Sequence, residues 1–532
     1  MDWRIVRWLM CGCLLMAAGA CRARAQAAAA PLGLFTEHTD VGAVLHRGSV
    51  EYDAVRRSYK ISGSGENVWA TADAFQFVWK KMEGDFTLTA DISVLGQGGD
   101  PHKKAMLMAR QSLDADSAYA DVALHGVGLT SLQARDAKGA DTHEIQANIA
   151  APKKLRLQKY GDEFTMWLAG EDGKFHFAGG SMRVPLTGAF YVGLGVCAHN
   201  KAAVETAEFS HLALNTKPSG LFAQAYATLE TIDTASTDRR VAYIEPPSPV
   251  FGFRLAAPNW TPDGASLLFN RDGQIWIVPA AGGEAKAIDT GYPGVSSTVF
   301  HGISPDGTML AFSGFSQDRK TSIYVAPTGG GVPRRITVQP PSYWNGWSPD
   351  GRTIVFTRTR QDARTPRALG GQGEVGIYTI AVAGGEETRL ATIGLGGSGE
   401  YSPDGKYIYF SSDRSGAMEV WRMRPDGSQP EQVTKDGAGN WFPHVSPDGR
   451  LLAFLTPHQR DSFFPATAAE IALRVMSLAE GQIRVLAKLT GEVGTMPVPS
   501  WSPDSRRLAF VSYQGFTAED LLPVPPAPAV VK

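Results

Sequence analysis

The chain has little cysteine, little imbalance of charge and little helical periodicity. Of its 532 residues four are cysteine, and three of those (Cys11, Cys13 and Cys21) precede Arg22. Cys197 alone stands in the body of the chain, so a disulfide framework is excluded and stability must come from packed secondary structure. Acids and bases are interspersed, 53 against 51, for a net charge of −2. That balance excludes the basic footprint of a nucleic-acid binder. The apolar run Trp8–Ala20 is too short to cross a bilayer comfortably. No G-x-S-x-G elbow is present, and only a short stretch follows Asp504, which leaves no room for an appended serine-hydrolase domain.

What is present begins with an export signal. Arg4 and Arg7 flank the apolar run, and Ala23-Arg24-Ala25 supplies an A-x-A cleavage pattern. Residues 1–30 are therefore expected to lie outside the fold. Cleavage after Ala25 leaves a soluble periplasmic or secreted protein, the reading adopted here. Ala18-Gly19-Ala20-Cys21 resembles a lipoprotein box with alanine in place of leucine, so a membrane anchor would require lipidation of Cys21.

The second half is organised by a short turn that recurs as Thr261-Pro262-Asp263-Gly264, Ser304-Pro305-Asp306-Gly307, Ser348-Pro349-Asp350-Gly351, Ser402-Pro403-Asp404-Gly405 and Ser446-Pro447-Asp448-Gly449. A decayed sixth copy is Ser502-Pro503-Asp504-Ser505. Proline presets φ at the second position of a type I turn, and glycine relieves the fourth. Alternating runs such as Leu310-Ala311-Phe312 follow each copy and read as strands. The turn aspartates are 43, 44, 54, 44 and 56 residues apart, the two long intervals holding insertions at Gln361–Glu374 and His458–Glu470. A period of roughly 40–45 residues with four strands each marks a β-propeller blade. Six copies predict six blades.

These repeats resemble those of the TolB-like family of WD-type propellers, with the Ser-Pro-Asp-Gly turn as the shared motif. The sixth repeat has one clear strand, Leu508–Tyr513, before a Pro-rich tail, 516–532. Its missing strands are expected from 239–255, which would close the ring and leave no exposed edge. The propeller is thus placed at 238–515, preceded by a linker, 216–237, that includes a short helix over Leu221–Ile232.

Residues 31–215 carry many short strand-like runs with turn signals between them, which argues for an antiparallel sandwich. The order Phe86-Thr87-Leu88, Ala105–Arg110, Leu155-Arg156-Leu157 with Phe164–Trp167, then Phe190–Gly195, resembles a concanavalin A-like (lectin/glucanase-type) jelly roll of an uncharacterised bacterial subfamily. The fold class expected is all-β: an N-terminal jelly-roll β-sandwich followed by a six-bladed propeller. Trp69, Phe75, Phe77 and Trp79 have a spacing that puts them on one face of a strand, either as core or as a sugar-stacking surface.

Residues just before each turn lie at one end of an innermost strand. Asn259, His301, Trp344, Asn345, Glu400, Trp441 and His444 should therefore gather around one mouth of the propeller channel. Such a ring either receives a ligand or bonds blade to blade. His301, Glu400 and His444 form the one combination suited to a divalent metal. Oligogalacturonate lyases with similar repeats hold a metal with channel histidines, and related sequences carry histidine where Asn345 stands, so one such ligand is absent here. The reading is an exported, monomeric binding or scaffold protein without a cofactor. It would recognise glycan or cell-envelope protein through the mouth and the sandwich. The alternative is a carbohydrate-active enzyme, lyase or hydrolase, with a metal-assisted site in the channel.

Overall fold

The computed structural model describes residues 32–516 apart from 97, 170–172, 217–223, 247–254, 290–295, 316–319, 361–373, 395–396 and 459–468. The export segment, the expected strand at 250–254, the centres of both insertions and the tail beyond 516 lie outside the described residues. Every described regular element is a strand, so the chain is all-β. No helix among the described residues is long and apolar enough to cross a membrane.

The repeated turn is built as its residue types require. Ser304 Oγ donates to Asp306 Oδ1 at 2.5 Å and accepts from Met309 N–H at 2.9 Å, while Gly307 N–H donates to Ser304 O at 2.8 Å. The same hydroxyl–carboxylate bond recurs in the other Ser-Pro-Asp turns, and Thr261 makes it to Asp263. These bonds favour the ionised aspartates and hold their carboxyls below the usual range, Asp404 at about 2. Gly307 has φ of 76° and Ser505, in the decayed copy, φ of 63°, so serine takes up the left-handed position that glycine fills elsewhere.

Five repeats form separate four-stranded antiparallel sheets, the first from Ala256–Trp260, Ser266–Arg271, Gln274–Pro279 and Lys286–Ala287. The expectation of six separate blades is corrected to five. The sixth repeat supplies one long strand, Arg507–Phe516, paired over its full length with Gln224–Asp233, from Gln224↔Phe516 to Asp233↔Arg507. Gln224–Asp233 pairs in turn with Arg239–Glu245. The ring is thus closed by strands from both ends of the propeller, but partly by a segment read as linker and helix. In that segment Thr228, Leu229, Glu230, Thr231 and Ile232 are all buried, because the strand is covered on both faces. Burial on both faces erases the alternation by which a strand is recognised.

The sheet does not stop there. Ile145 and Gln146 pair in parallel with Arg239 and Arg240, so the closing strands continue into a ten-stranded sheet that runs through the N-terminal unit. A seven-stranded sheet packs face to face on its N-terminal part. Their shared core sets Leu88, Leu155, Leu157, Phe164 and Met166 against Val78, Leu107, Val122, Leu132 and Leu194. On the opposite face of the long sheet a second cluster gathers Phe75, Phe77, Trp79, Met106, Met108 and Tyr119. The small hairpin of Val68–Trp69 and Ala72–Asp73 lies over that face, so Trp69 is on a different strand from the other three aromatics. Asp73 pins the hairpin: its carboxylate meets Arg135 at 2.8 and 3.0 Å and Arg110 at 3.3 Å, all three side chains fully buried.

Side chains also fasten the two halves. Glu230 is bonded by Arg239 through Nε at 2.9 Å and Nη2 at 2.8 Å and accepts from Ser512 Oγ. Arg239 Nη1 continues to Ser181 O, in the seven-stranded sheet, at 2.9 Å. Arg183 reaches Glu470 at 3.3 Å and Thr490 at 3.2 Å in the fifth blade.

Candidate functional site

The residues before the turns do gather where blades adjoin. At the position just before the turn, Trp260, Trp347 and Trp501 donate their indole N–H to Ser500 O (3.1 Å), Gly302 O (3.1 Å) and His444 O (2.8 Å). Each bond therefore joins one blade to the one before it. One residue earlier stand Asn259, Glu400 and His444. Asn259 Nδ2 donates to Pro499 O at 2.5 Å, and Ser500 returns a bond to Pro258 O at 2.8 Å. His444 Nε2 donates to Met496 O at 3.1 Å, and its Nδ1 lies 2.5 Å from Glu400 Oε2. Since Nε2 must carry a hydrogen to bond a carbonyl, Nδ1 and Glu400 share a second proton between them. Burial pushes the Glu400 carboxyl upward, with His444 pulling against it. Trp344 is buried against the backbone of Gly302, where an added Cβ would meet its ring at 2.3 Å. Trp441 is buried beside Phe442.

His301 and Asn345 differ from this set. Both are buried, and neither ring nitrogen of His301 nor either polar atom of the Asn345 side chain has a hydrogen-bond partner among the described residues. Burial alone lowers His301 to about 3, so it is neutral at ordinary pH. His301 is not joined to the Glu400–His444 pair. Among the described residues no group of three or more His, Cys, Asp or Glu is placed to hold a metal ion.

This contrast gives a test. His444→Ala strips the buried Glu400 and the Met496 carbonyl of their partner and is expected to cost about 2–3 kcal/mol in denaturant unfolding. His301→Leu removes a polar ring that bonds nothing and should leave stability within about 1 kcal/mol of wild type. The two histidines swapping roles in that measurement would refute the assignment. His301 also sets a pH dependence. Its folded pKa lies below the unfolded value, so the unfolded state binds more protons and stability falls as pH drops from about 6.5 toward 3. The leucine variant should show a shallower fall.

A concave site lies elsewhere, on the outer face of the long sheet. A cavity of about 250 Å³ has Lys104, His125, Gln133, Glu144 and Gln146 as its floor, the Trp69 hairpin on one side, and His102 and His199 on another. Lys104 Nζ donates to Val68 O at 2.7 Å and Gln133 Oε1 at 3.1 Å, and sits 5.3 Å from the Trp69 ring centre. Gln146 Nε2 donates to Glu144 Oε1, and Gln133 Nε2 lies 3.5 Å from Glu144 Oε2. His125 Nδ1 has no hydrogen-bond partner among the described residues, and burial lowers that ring to about 3. The rings of His102 and His199 are 5.5 Å apart, with His125 6.0 Å from His102.

Sequence reasoning missed most of this pocket. Ser131-Leu132-Gln133-Ala134-Arg135 and His143-Glu144-Ile145-Gln146 show the alternation of half-exposed strands, yet Gln133, Arg135 and Glu144 are buried. The available signal was that row of polar side chains facing the same way as Trp69 once the hairpin folds over it.

The fold is that of a propeller protein closed by its own termini and joined edge to edge to a two-sheet unit. Residues 363–518 match the TolB beta propeller domain family. The Agrobacterium fabrum (strain C58) "uncharacterized protein Atu1656" is 36% identical over 306 residues, which is 57% of this chain and 97% of that protein. The Tol-Pal system protein TolB of Francisella tularensis subsp. tularensis is 26% identical over 262 residues, 47% of this chain and 54% of that one. A solved TolB-type structure from Agrobacterium tumefaciens is 35% identical over 55% of this chain and 99% of its own, with a TM-score of 0.48. The chain belongs to the TolB-like β-propeller family.

Proposed function

We propose that this protein is an exported binding protein in which the propeller is a scaffold and the N-terminal unit, a concanavalin A-like jelly roll, takes a glycan ligand in its outer-face pocket. Export rests on the basic, apolar and A-x-A segments of residues 1–25. The observation that carries the reading is the convergence of Lys104, His125, Gln133, Glu144 and Gln146 beside an aromatic wall in one cavity. Convergent polar groups in a concavity, with an aromatic face, are the ordinary form of a small-ligand site. The mouth, by contrast, uses Asn259, Glu400 and His444 for contacts between strands of neighbouring blades.

The reading is tested on a glycan array with the full chain. Gln133→Ala together with Glu144→Ala should abolish glycan capture, whereas His301→Leu should leave it unchanged. Loss with His301→Leu and retention with the double variant would move the site to the propeller mouth.

A further inference from the structure

We infer that the pocket selects an uncharged saccharide unit, stacked on Trp69 and read at its hydroxyls by Gln146 and His125. This inference rests on the binding reading given above and deepens it to a ligand class. The first support is shape and surface. A half-buried indole forms part of the lining, and a cavity of about 250 Å³ is of the order of one or two sugar rings. An aromatic ring presents a large apolar face, which suits the C–H face of a pyranose while leaving its hydroxyls free for polar partners.

The second support is the state of the charges. The lining has one lysine, Lys104, and one carboxylate, Glu144. The Lys104 ammonium is already spent on Val68 O and Gln133 Oε1. Glu144 is held by the two side-chain amides of Gln146 and Gln133. Neither charge is left over to neutralise a ligand. A uronate or an ammonium sugar would find both counter-charges already engaged, in a buried setting where a charge without its own partner is costly. The Gln146 amide and a neutral imidazole offer donors and acceptors together, which is what vicinal hydroxyls require. His125 supplies the free valence: its Nδ1 is buried and unpartnered while its Nε2 is near Ser131 and Gln133.

The experiment titrates the full-length protein calorimetrically with short neutral oligosaccharides of glucose, galactose and mannose. The corresponding uronate and 2-amino sugars are run in parallel. At least one neutral series should bind, with the matching uronate and amino sugar weaker by tenfold or more. Trp69→Ala should lose binding by at least tenfold, Trp69→Phe should retain most of it, and both should melt within a few degrees of wild type. Charged sugars binding as well as neutral ones, with Trp69 dependence preserved, would overturn the neutral-ligand inference and leave the pocket as the site. No sugar binding, or binding indifferent to Trp69→Ala, would overturn the pocket reading itself.

Discussion

Arg239→Ala is expected to destabilise the protein by about 3–5 kcal/mol, the cost of leaving a buried charge without its partner. The carboxylate left behind is Glu230, fully buried, which Arg239 grips with two nitrogens. The loss should spread beyond one residue. Glu230 also accepts from Ser512 in the C-terminal strand, and Arg239 donates to Ser181 in the N-terminal unit, so the pair joins three parts of the chain that are distant in sequence. Urea unfolding followed by both intrinsic fluorescence and far-UV circular dichroism should show one shifted transition. A companion variant, Arg239→Met with Glu230→Leu, removes both charges and should recover much of the loss. A cost under about 1 kcal/mol for the single variant would mean that the carboxylate finds water and that the junction is looser than its geometry shows.

Asp73→Ala should be at least as damaging, again about 3–5 kcal/mol, because it abandons two guanidinium groups rather than one. Arg110 and Arg135 are fully buried and face the same carboxylate. Without it they repel one another inside the sheet's outer cluster. Arg135 would still hold Ala70 O, in the turn of the hairpin that carries Trp69, and Ser117 O, so the hairpin should loosen at its Asp73 strand rather than detach. The expected readout is a lowered melting temperature together with faster amide exchange across residues 66–74. Unchanged exchange there would show that the hairpin is held without the Asp73 carboxylate, by its apolar contacts and the bonds from Lys104 and Arg135 to its carbonyls.

Much of the propeller was legible because its turn is a local object. Serine, proline, aspartate and glycine each satisfy a requirement fixed by the residues beside them, and six copies announce themselves without any tertiary information. The closure was only half legible. The need for strands from ahead of the first repeat followed from the short sixth copy, but Thr228 and Glu230 fell in the stretch read as a short linker helix. They are polar because they meet Gln514, Ser512 and Arg239 across a buried interface.

The residues ahead of the turns were read from their spacing and left open in role. What divides Glu400 and His444 from His301 is local backbone shape. Ala257, Ser398 and Phe442, each four residues before a turn, have φ of 58°, 63° and 54°. Those residues kink the inner strand just ahead of Asn259, Glu400 and His444. Non-glycine residues rarely adopt that conformation, and nothing in their identity announces it. The pocket was less legible still, since it exists only once a hairpin distant from its floor in sequence has folded over the sheet.

The pairing of Gln224 with Phe516 has a consequence in time rather than in space. The blade-forming repeats between them can each fold from neighbouring sequence, as units whose contacts are local. The ring itself cannot shut until the final strand has been made, because that strand is the partner on which Gln224–Asp233 waits. Until then Gln224–Asp233 and its neighbour Arg239–Glu245 present an unpaired β-edge, the state most prone to pair with another chain. The growing chain therefore carries its most vulnerable surface from early in the propeller to its very end. The N-terminal two-sheet unit can shield one side of that surface in the meantime, through the parallel contact at Ile145 and Gln146.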